Sequence, residues 1–543
     1  MTPGAPHPAD AGGRAGSFAR VQDAARADRA GSFARVQDAA RAGNGGVYLG
    51  LGDRGWAWTG PERSVLVLGP SRSGKTSALV VPNVLAAPGA VVVTSTKPDV
   101  LRATAAARAT SGWCLAYDPT DSLELPSGVH RVGWSPVSAA REWHGALEVA
   151  DAMVATARGR PGGAAGTGGA EVHWTERAAA LLAALLHAAA LEELAMRDVL
   201  HWVDRHHGTP ALDALCARVG DAAVPTDLLA GILSTDEREQ SGIWSTASGV
   251  LAAFRSPGAL ASTEGPLLDP DAFCAGPHTL YVCAPATRQQ LVAPLVVAML
   301  SQVRDAAYRR AGGPATERAG LADHADRADR ADFAGRTDSA GRTDLTDSAG
   351  SAGRAGRTDR PVPPVLFALD EVANIAPLPG LPAMVTEGPG QGLLTLACLQ
   401  DLSQARARWG AEADAFVSIF GTTIVLGGIA DMRTLEAISA LGGEREVRSR
   451  TVSFSEGTSG RQVAASDATV LRRRLPVDLV ARGVEGWALC VDARNRLGWV
   501  RLTPAHEVWP WRDCTTDRAR AARARDPHVL PVPPVGHASR EAR

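Results

Sequence analysis

Apolar positions along the chain fall into two patterns. The first is a set of short, unbroken apolar runs at 64–68, 90–94, 279–283, 364–370, 393–398, 423–426 and 487–491. Bounded by turn residues, such runs predict strands buried on both faces, as in a parallel sheet. Residues 47–60 (VYLGLGDRGWAWTG) predict a β-hairpin. The second pattern runs from 140 to 265, where Ala- and Leu-rich stretches at 174–194, 196–206, 211–219 and 243–254 predict helices. A helix is expected from Lys75, ending near Pro82 or soon after because proline breaks a helix interior. Another is expected over about 289–310. Strand, loop, helix and strand in that order predict an α/β fold with a mostly parallel sheet, interrupted by an all-α insertion.

Three stretches carry neither pattern and predict disorder. Residues 1–45 are Gly/Ala/Arg-rich and contain a tandem duplication, with 15–27 recurring as 30–42. Residues 313–360 are low-complexity repeats of Arg, Asp, Ala and Gly, with too few large apolar side chains to offset the entropy of ordering. Residues 513–543 are Arg/Ala/Pro-rich and predict a fraying tail. The expected division is a tail (1–45), the first part of a nucleotide-binding domain (46–139) and the helical insertion (140–265). The nucleotide-binding domain continues over 266–312, a disordered insertion follows (313–360), then the rest of that domain (361–512) and the C-terminal tail.

Composition changes this picture in three places. Net charge is −2, so no global basic field points to nucleic acid. The 7 cysteines form no C-x-x-C pair, which disfavours metal and disulfide frameworks and fits a reducing cytosol. The N-terminus lacks an apolar signal segment, and the longest apolar run, 178–191, is too short for a membrane span and contains His187. The expected location is therefore cytoplasmic, or peripheral at the inner face of the cell membrane. Among 56 basic residues only Lys75 and Lys97 are lysines.

One of those lysines lies in the chemistry. Gly69, Pro70, Ser71, Arg72, Ser73, Gly74, Lys75 and Thr76, followed by Ser77, form a complete G-x-x-x-x-G-K-[ST] phosphate loop. Its backbone N–H groups cradle phosphates and the helix N-terminus adds positive potential. Lys75 is assigned to the β/γ-phosphates, where a planar guanidinium is too wide, and Thr76 to Mg²⁺. The run 365–369 ends in Asp370 and Glu371, the Walker B pattern. Asp370 is assigned to Mg²⁺ and Glu371 to the attacking water as general base. A second carboxylate favours hydrolysis over mere binding, and disfavours a small-molecule kinase. Gln400, at the end of the 393–398 strand, is a candidate γ-phosphate sensor.

Together GPSRSGKT, VVVTSTKPDV, LFALDEVANIAPLPGL, GLLTLACLQDLSQARARWG and LGGIADMRTLEAISALGG resemble the TraG/TraD-type coupling ATPases of conjugation and type IV secretion. These belong with the FtsK/HerA group of RecA-like motors. The resemblance covers roughly 47–312 and 361–510. It implies ATP- and Mg²⁺-dependent delivery of DNA, or of a relaxase–DNA complex, to a secretion channel by a homo-hexameric ring, with the helical insertion linked to substrate recognition. A nucleotide-gated adaptor that recruits substrates without translocation is the alternative. Two departures stand out. The N-terminal membrane helices of many members have no counterpart in this sequence, which leaves a soluble relative, or one whose membrane anchor is a separate protein, as the expectation. The arginine that many members carry before the Gln-bearing strand is absent from 387–391 (EGPGQ), leaving Arg406, Arg408 and Arg472, Arg473 or Arg474 as candidates for its role. Arg472–Arg474 and the arginines of 518–525 are also candidates for meeting DNA phosphates.

Overall fold

The computed structural model describes residues 31, 34–36, 38, 45–158, 169–218, 222–312, 362–457 and 460–515. Most of the 1–45 tail, the 313–360 insertion and the chain beyond 515 lie outside the described residues.

A twelve-stranded sheet forms the frame, in the order β2-β1-β14-β13-β10-β3-β9-β8-β4-β7-β5-β6. Its strands are β1 (Tyr48–Gly52), β2 (Gly55–Trp58), β3 (Val65–Leu68), β4 (Val91–Ser95), β5 (Cys114–Tyr117), β6 (Val129–Arg131), β7 (Thr279–Cys283), β8 (Val365–Leu369), β9 (Leu393–Leu399), β10 (Thr422–Val425), β13 (Trp487–Asp492) and β14 (Leu497–Arg501). From β10 to β6 every neighbouring pair is parallel. The other end, through β13, β14, β1 and β2, is antiparallel. The apolar runs are buried along their length, as at β3, β4, β8 and β9. Helices cover both faces and divide the core into two apolar clusters. The α/β class, the mostly parallel sheet and the 48–58 hairpin are as the sequence predicts.

Between β6 and β7 the chain is helical. The helix Gly169–Leu191 runs through its middle, with Leu181 through Leu186 fully buried. A helix apolar on all sides is a core helix, and Trp143–Arg158, Thr209–Cys216, Ala223–Leu233 and Glu237–Val250 pack around it. Beyond β7, Gln289–Gly312 is the one helix among the described residues long and apolar enough to cross a membrane. Two-thirds of its apolar window (67%) is buried inside the protein, as expected of a helix lying against the sheet.

Two details differ from expectation. The helix after the phosphate loop opens with a π-helical turn, Thr76–Val80, and continues as Val81–Ala86. Pro82 therefore sits at the start of the α register, where its missing N–H is tolerated, and the helix runs on to Ala86. Two long strands, β11 (Glu444–Gly457) and β12 (Gly460–Arg473), form a separate antiparallel ribbon with no counterpart among the predicted elements. Its polar and charged residues give no burial period to read. Val36, inside the second copy of the duplication, is fully buried in the cluster that includes Val508, Trp511 and Cys514. Cys514 and Thr515 are also buried.

A buried arginine ties the sheet's lower edge together. Arg108 is 0% exposed and faces no carboxylate partner. It donates instead to Thr279 Oγ1 (2.7 Å), Ala87 O (2.7 Å), Gly89 O (2.9 Å), Pro277 O (3.0 Å) and His278 O (3.3 Å). The guanidinium fork thus joins the turns that lead into β4 and β7. Truncation orphans several buried carbonyls, each worth about 1–3 kcal/mol. Arg108→Met is expected to lower unfolding stability by at least ~3 kcal/mol, and Arg108→Lys to recover only part of it because an ammonium lacks the fork. Denaturant unfolding of the three proteins checks this; a loss for Arg108→Met below ~1 kcal/mol contradicts it.

Candidate functional site

The carboxyl ends of β3, β9, β8 and β4 lie side by side, and a cavity of about 980 Å³ opens above them. In parallel α/β sheets this is where ligands bind. Each strand delivers one part of the lining. β3 leads into the phosphate loop, β8 into Asp370 and Glu371, β9 into Gln400, and β4 into Ser95, Thr96 and Lys97.

The loop owes its shape to two conformations. Gly74 has φ +92°, which favours glycine, and Arg72 is left-handed at φ 65°. At Gly69 a Cβ would come within 2.9 Å of Leu426 Cβ, so only glycine lets the loop leave the sheet there. Lys75 is 8% exposed and its Nζ donates to Gly69 O and to Pro70 O (2.7 Å). The Ser73 hydroxyl is buried with no hydrogen-bond partner, an orphaned polar atom in the cavity lining.

Thr76 and Asp370, 294 residues apart, meet in a hydrogen bond in which Thr76 Oγ1 donates to Asp370 Oδ2 at 2.7 Å. Burial, more than any other influence, pushes the Asp370 carboxyl above the usual carboxylate range, and the charge of Glu371 adds to this. The Thr76 hydrogen bond and nearby Lys75 oppose the shift. Two hard oxygen donors touching at a desolvated carboxylate suit a divalent cation such as Mg²⁺. Thr94 holds the carboxylate's backbone: Thr94 Oγ1 donates to Asp370 O, and Asp370 N to Thr94 O, each at 3.2 Å. Glu371 lines the same cavity in a left-handed conformation (φ 56°, ψ 48°). Strained backbone of this kind concentrates at functional sites. Gln400 Nε2 donates to Ser71 Oγ at 3.4 Å, and its backbone N–H to Gln404 Oε1 at 2.9 Å, so the sensor candidate touches the loop.

All of the predicted loop residues from Ser71 to Ser77 line this cavity, together with Asp370, Glu371 and Gln400. Gly69 and Pro70 serve from behind, as acceptors for Lys75. Arg406, Arg408 and Arg472–Arg474 do not line it. Arg406 is held by Asp414 (3.2 Å) and Asp431 (3.3 Å), while Arg473 donates to Ser439 and Arg474 to Glu444 O. Sequence reasoning missed Lys97, Arg102, Gln404, His506 and Thr515 in the lining. Only Lys97 carried a signal, as the second lysine of the chain.

The left-handed backbone at Glu371 has a stability consequence. A non-glycine residue there costs roughly 1–2 kcal/mol, partly offset in glycine by roughly 0.5–1 kcal/mol of chain entropy. Glu371→Gly is therefore expected to leave the fold unchanged or up to ~1 kcal/mol more stable while removing the carboxylate. Thermal unfolding measures this, and a clear drop in Tm would contradict the stored strain.

The chain's relatives share this architecture. Residues 19–319 match the family described as Type IV secretory system Conjugative DNA transfer, and residues 364–482 match the TraM recognition site of TraD and TraG. No curated protein matches the chain. Among solved structures, the unbound form of the bacterial conjugative coupling protein TrwBdeltaN70 superposes with a TM-score of 0.55 at 18% identity, over 82% of this chain and 85% of that one. TrwB in complex with ADP and Mg²⁺ gives 0.54 at 19% identity over 82% and 85%. TrwB with the non-hydrolysable GTP analogue GDPNP gives 0.53 at 17% identity over 82% and 86%. With one family covering 19–319 and a second match over the strands that carry Asp370 and Gln400, this chain belongs to the type IV secretory system conjugative DNA transfer family, as a TraG/TraD-type coupling protein.

Proposed function

We propose that this coupling protein is an Mg²⁺-dependent ATPase whose hydrolysis drives DNA, or a relaxase–DNA complex, toward a type IV secretion channel. The observation that carries this reading is the second carboxylate: Glu371 follows Asp370 directly and opens onto the cavity that holds Lys75 and Thr76. In this reading Lys75 exchanges the carbonyls of Gly69 and Pro70 for β- and γ-phosphate oxygens. Thr76 and Asp370 hold Mg²⁺, which when bound neutralises phosphate charge. Glu371 orients a water toward the γ-phosphorus and accepts its proton as the bond to the β-phosphate oxygen breaks. Gln400, beside Ser71, reports the terminal phosphate. The chain works as a homo-hexamer, cytoplasmic or peripheral at the inner membrane face. The helices of 140–265 take up substrate and the rest of the ordered chain forms the motor domain.

A nucleotide-gated adaptor is the second reading. The specific observation in its favour is that 387–391 contains no basic residue, while Arg406 is held by Asp414 and Asp431. An arginine acting from a neighbouring subunit is worth orders of magnitude in rate.

Steady-state ATP hydrolysis with and without single- and double-stranded DNA separates the two. The motor predicts a DNA-stimulated rate that falls about 10²–10⁴-fold in Glu371→Gln and vanishes in Lys75→Ala. Tight ATP binding without turnover, in conditions where rings form, sinks the motor and leaves the adaptor.

A further inference from the structure

The chain's only two lysines line the same cavity. Of the four basic residues in that lining, Arg72, Lys75, Lys97 and Arg102, half are the lysines of a chain that otherwise uses arginine. The two side chains enter from different strands. Lys75 follows β3 and is buried in the loop; Lys97 follows β4 and is exposed at the rim. Lys75 Nζ is bonded to two loop carbonyls, whereas among the described residues the Lys97 ammonium has neither an ion pair nor a side-chain hydrogen bond; its backbone N–H is bonded to Ser95 Oγ at 3.4 Å. Arg102, by contrast, is engaged within the chain.

The position of Lys97 in the sheet says which end of a nucleotide it meets. β4 pairs with β8, and Thr94 is bonded twice to the backbone of Asp370. Lys97, three residues on from Thr94, therefore stands on the carboxylate side of the cavity and not behind the phosphate loop. That side already carries Asp370 and Glu371, and a terminal phosphate placed there needs positive charge facing those two acids. A compact, rotatable ammonium meets a single phosphate oxygen where a rigid guanidinium fork would demand two.

We propose that Lys97 is a second phosphate-binding lysine, contacting a γ-phosphate oxygen from the β4 side and supplying from within the chain part of the charge that 387–391 lacks. This rests on the ATP-binding reading above. The test uses the full chain and compares Mg²⁺-dependent affinity for ADP and for a non-hydrolysable ATP analogue, in wild type, Lys97→Gln, Lys97→Arg and Lys75→Ala. Because Lys97 is exposed, Lys97→Gln should keep the wild-type Tm. The expected result is a loss of about 10- to 100-fold in affinity for the ATP analogue in Lys97→Gln, the range of one charge-assisted hydrogen bond. ADP affinity stays within about twofold, and Lys97→Arg restores analogue affinity only in part. Lys75→Ala should lose both ligands. Unchanged analogue affinity in Lys97→Gln, an equal loss for ADP, or full rescue by arginine overturns the assignment. If wild type binds neither nucleotide, the nucleotide site itself is refuted and Lys97's role with it; wild-type binding with an indifferent Lys97→Gln refutes Lys97 alone.

Discussion

The parallel pairing of β3 with β9, β9 with β8 and β8 with β4 is the constraint on which the rest of the molecule depends. The carboxyl ends lie within two residues of one another, with Leu68 opposite Leu399, and Leu369 opposite both Ala397 and Thr94. Four loops from distant parts of the chain are therefore delivered to one edge. That alignment places the Thr76 hydroxyl 2.7 Å from a carboxylate 294 residues away. Such an arrangement needs strands buried on both faces, because each crossover puts helices there. The unbroken apolar runs meet that need, and the two core clusters lie on opposite faces of the sheet.

Features that would weaken an ordinary core gather at this edge. A left-handed glutamate, a carboxyl pushed upward by burial, and a serine hydroxyl without a partner all line one cavity. Elsewhere the molecule satisfies its buried charge carefully, as at Arg108 with its five acceptors. Proteins break local rules mainly at functional sites, where the surrounding structure holds the strain.

Away from the site, the first and last described strands and turns are packed together against the nucleotide-binding core. Tyr48 and Trp56 pack on Trp511 with ring centroids 4.6 Å and 4.9 Å apart, and Arg35 lies over Trp509 at 6.0 Å. This aromatic cluster stands next to Ala505 and His506, which line the cavity, and joins the first strand to the last turn. The β11–β12 ribbon does the opposite. Its strands, 14 residues each, extend over about 45 Å without joining the main sheet.

Much of this was legible in the linear sequence, for identifiable reasons. Buried parallel strands read as apolar runs, and the phosphate loop reads as a motif because Gly69, Gly74, Lys75 and Thr76 each answer a local demand of backbone conformation or charge. The Asp370–Glu371 pair and the helical stretch from 140 to 265 were visible on the same terms. The ribbon was not, since charged and polar residues fill most of both strands and give no apolar run, and neither was the packing of Val36, a small apolar residue in a polar repeat. Strands β5, β6 and β14 were too short or too mixed to stand out. Sequence alone thus determined the strand set, the loop chemistry and the carboxylates, which depend on neighbours within a few residues. Only the tertiary structure decided that Lys97 joins Lys75, that Arg406 is held by two aspartates, and that Ala505, His506 and Thr515 reach the cavity. Those outcomes depend on strand order and on distances between residues far apart in the chain, and no local pattern encodes them.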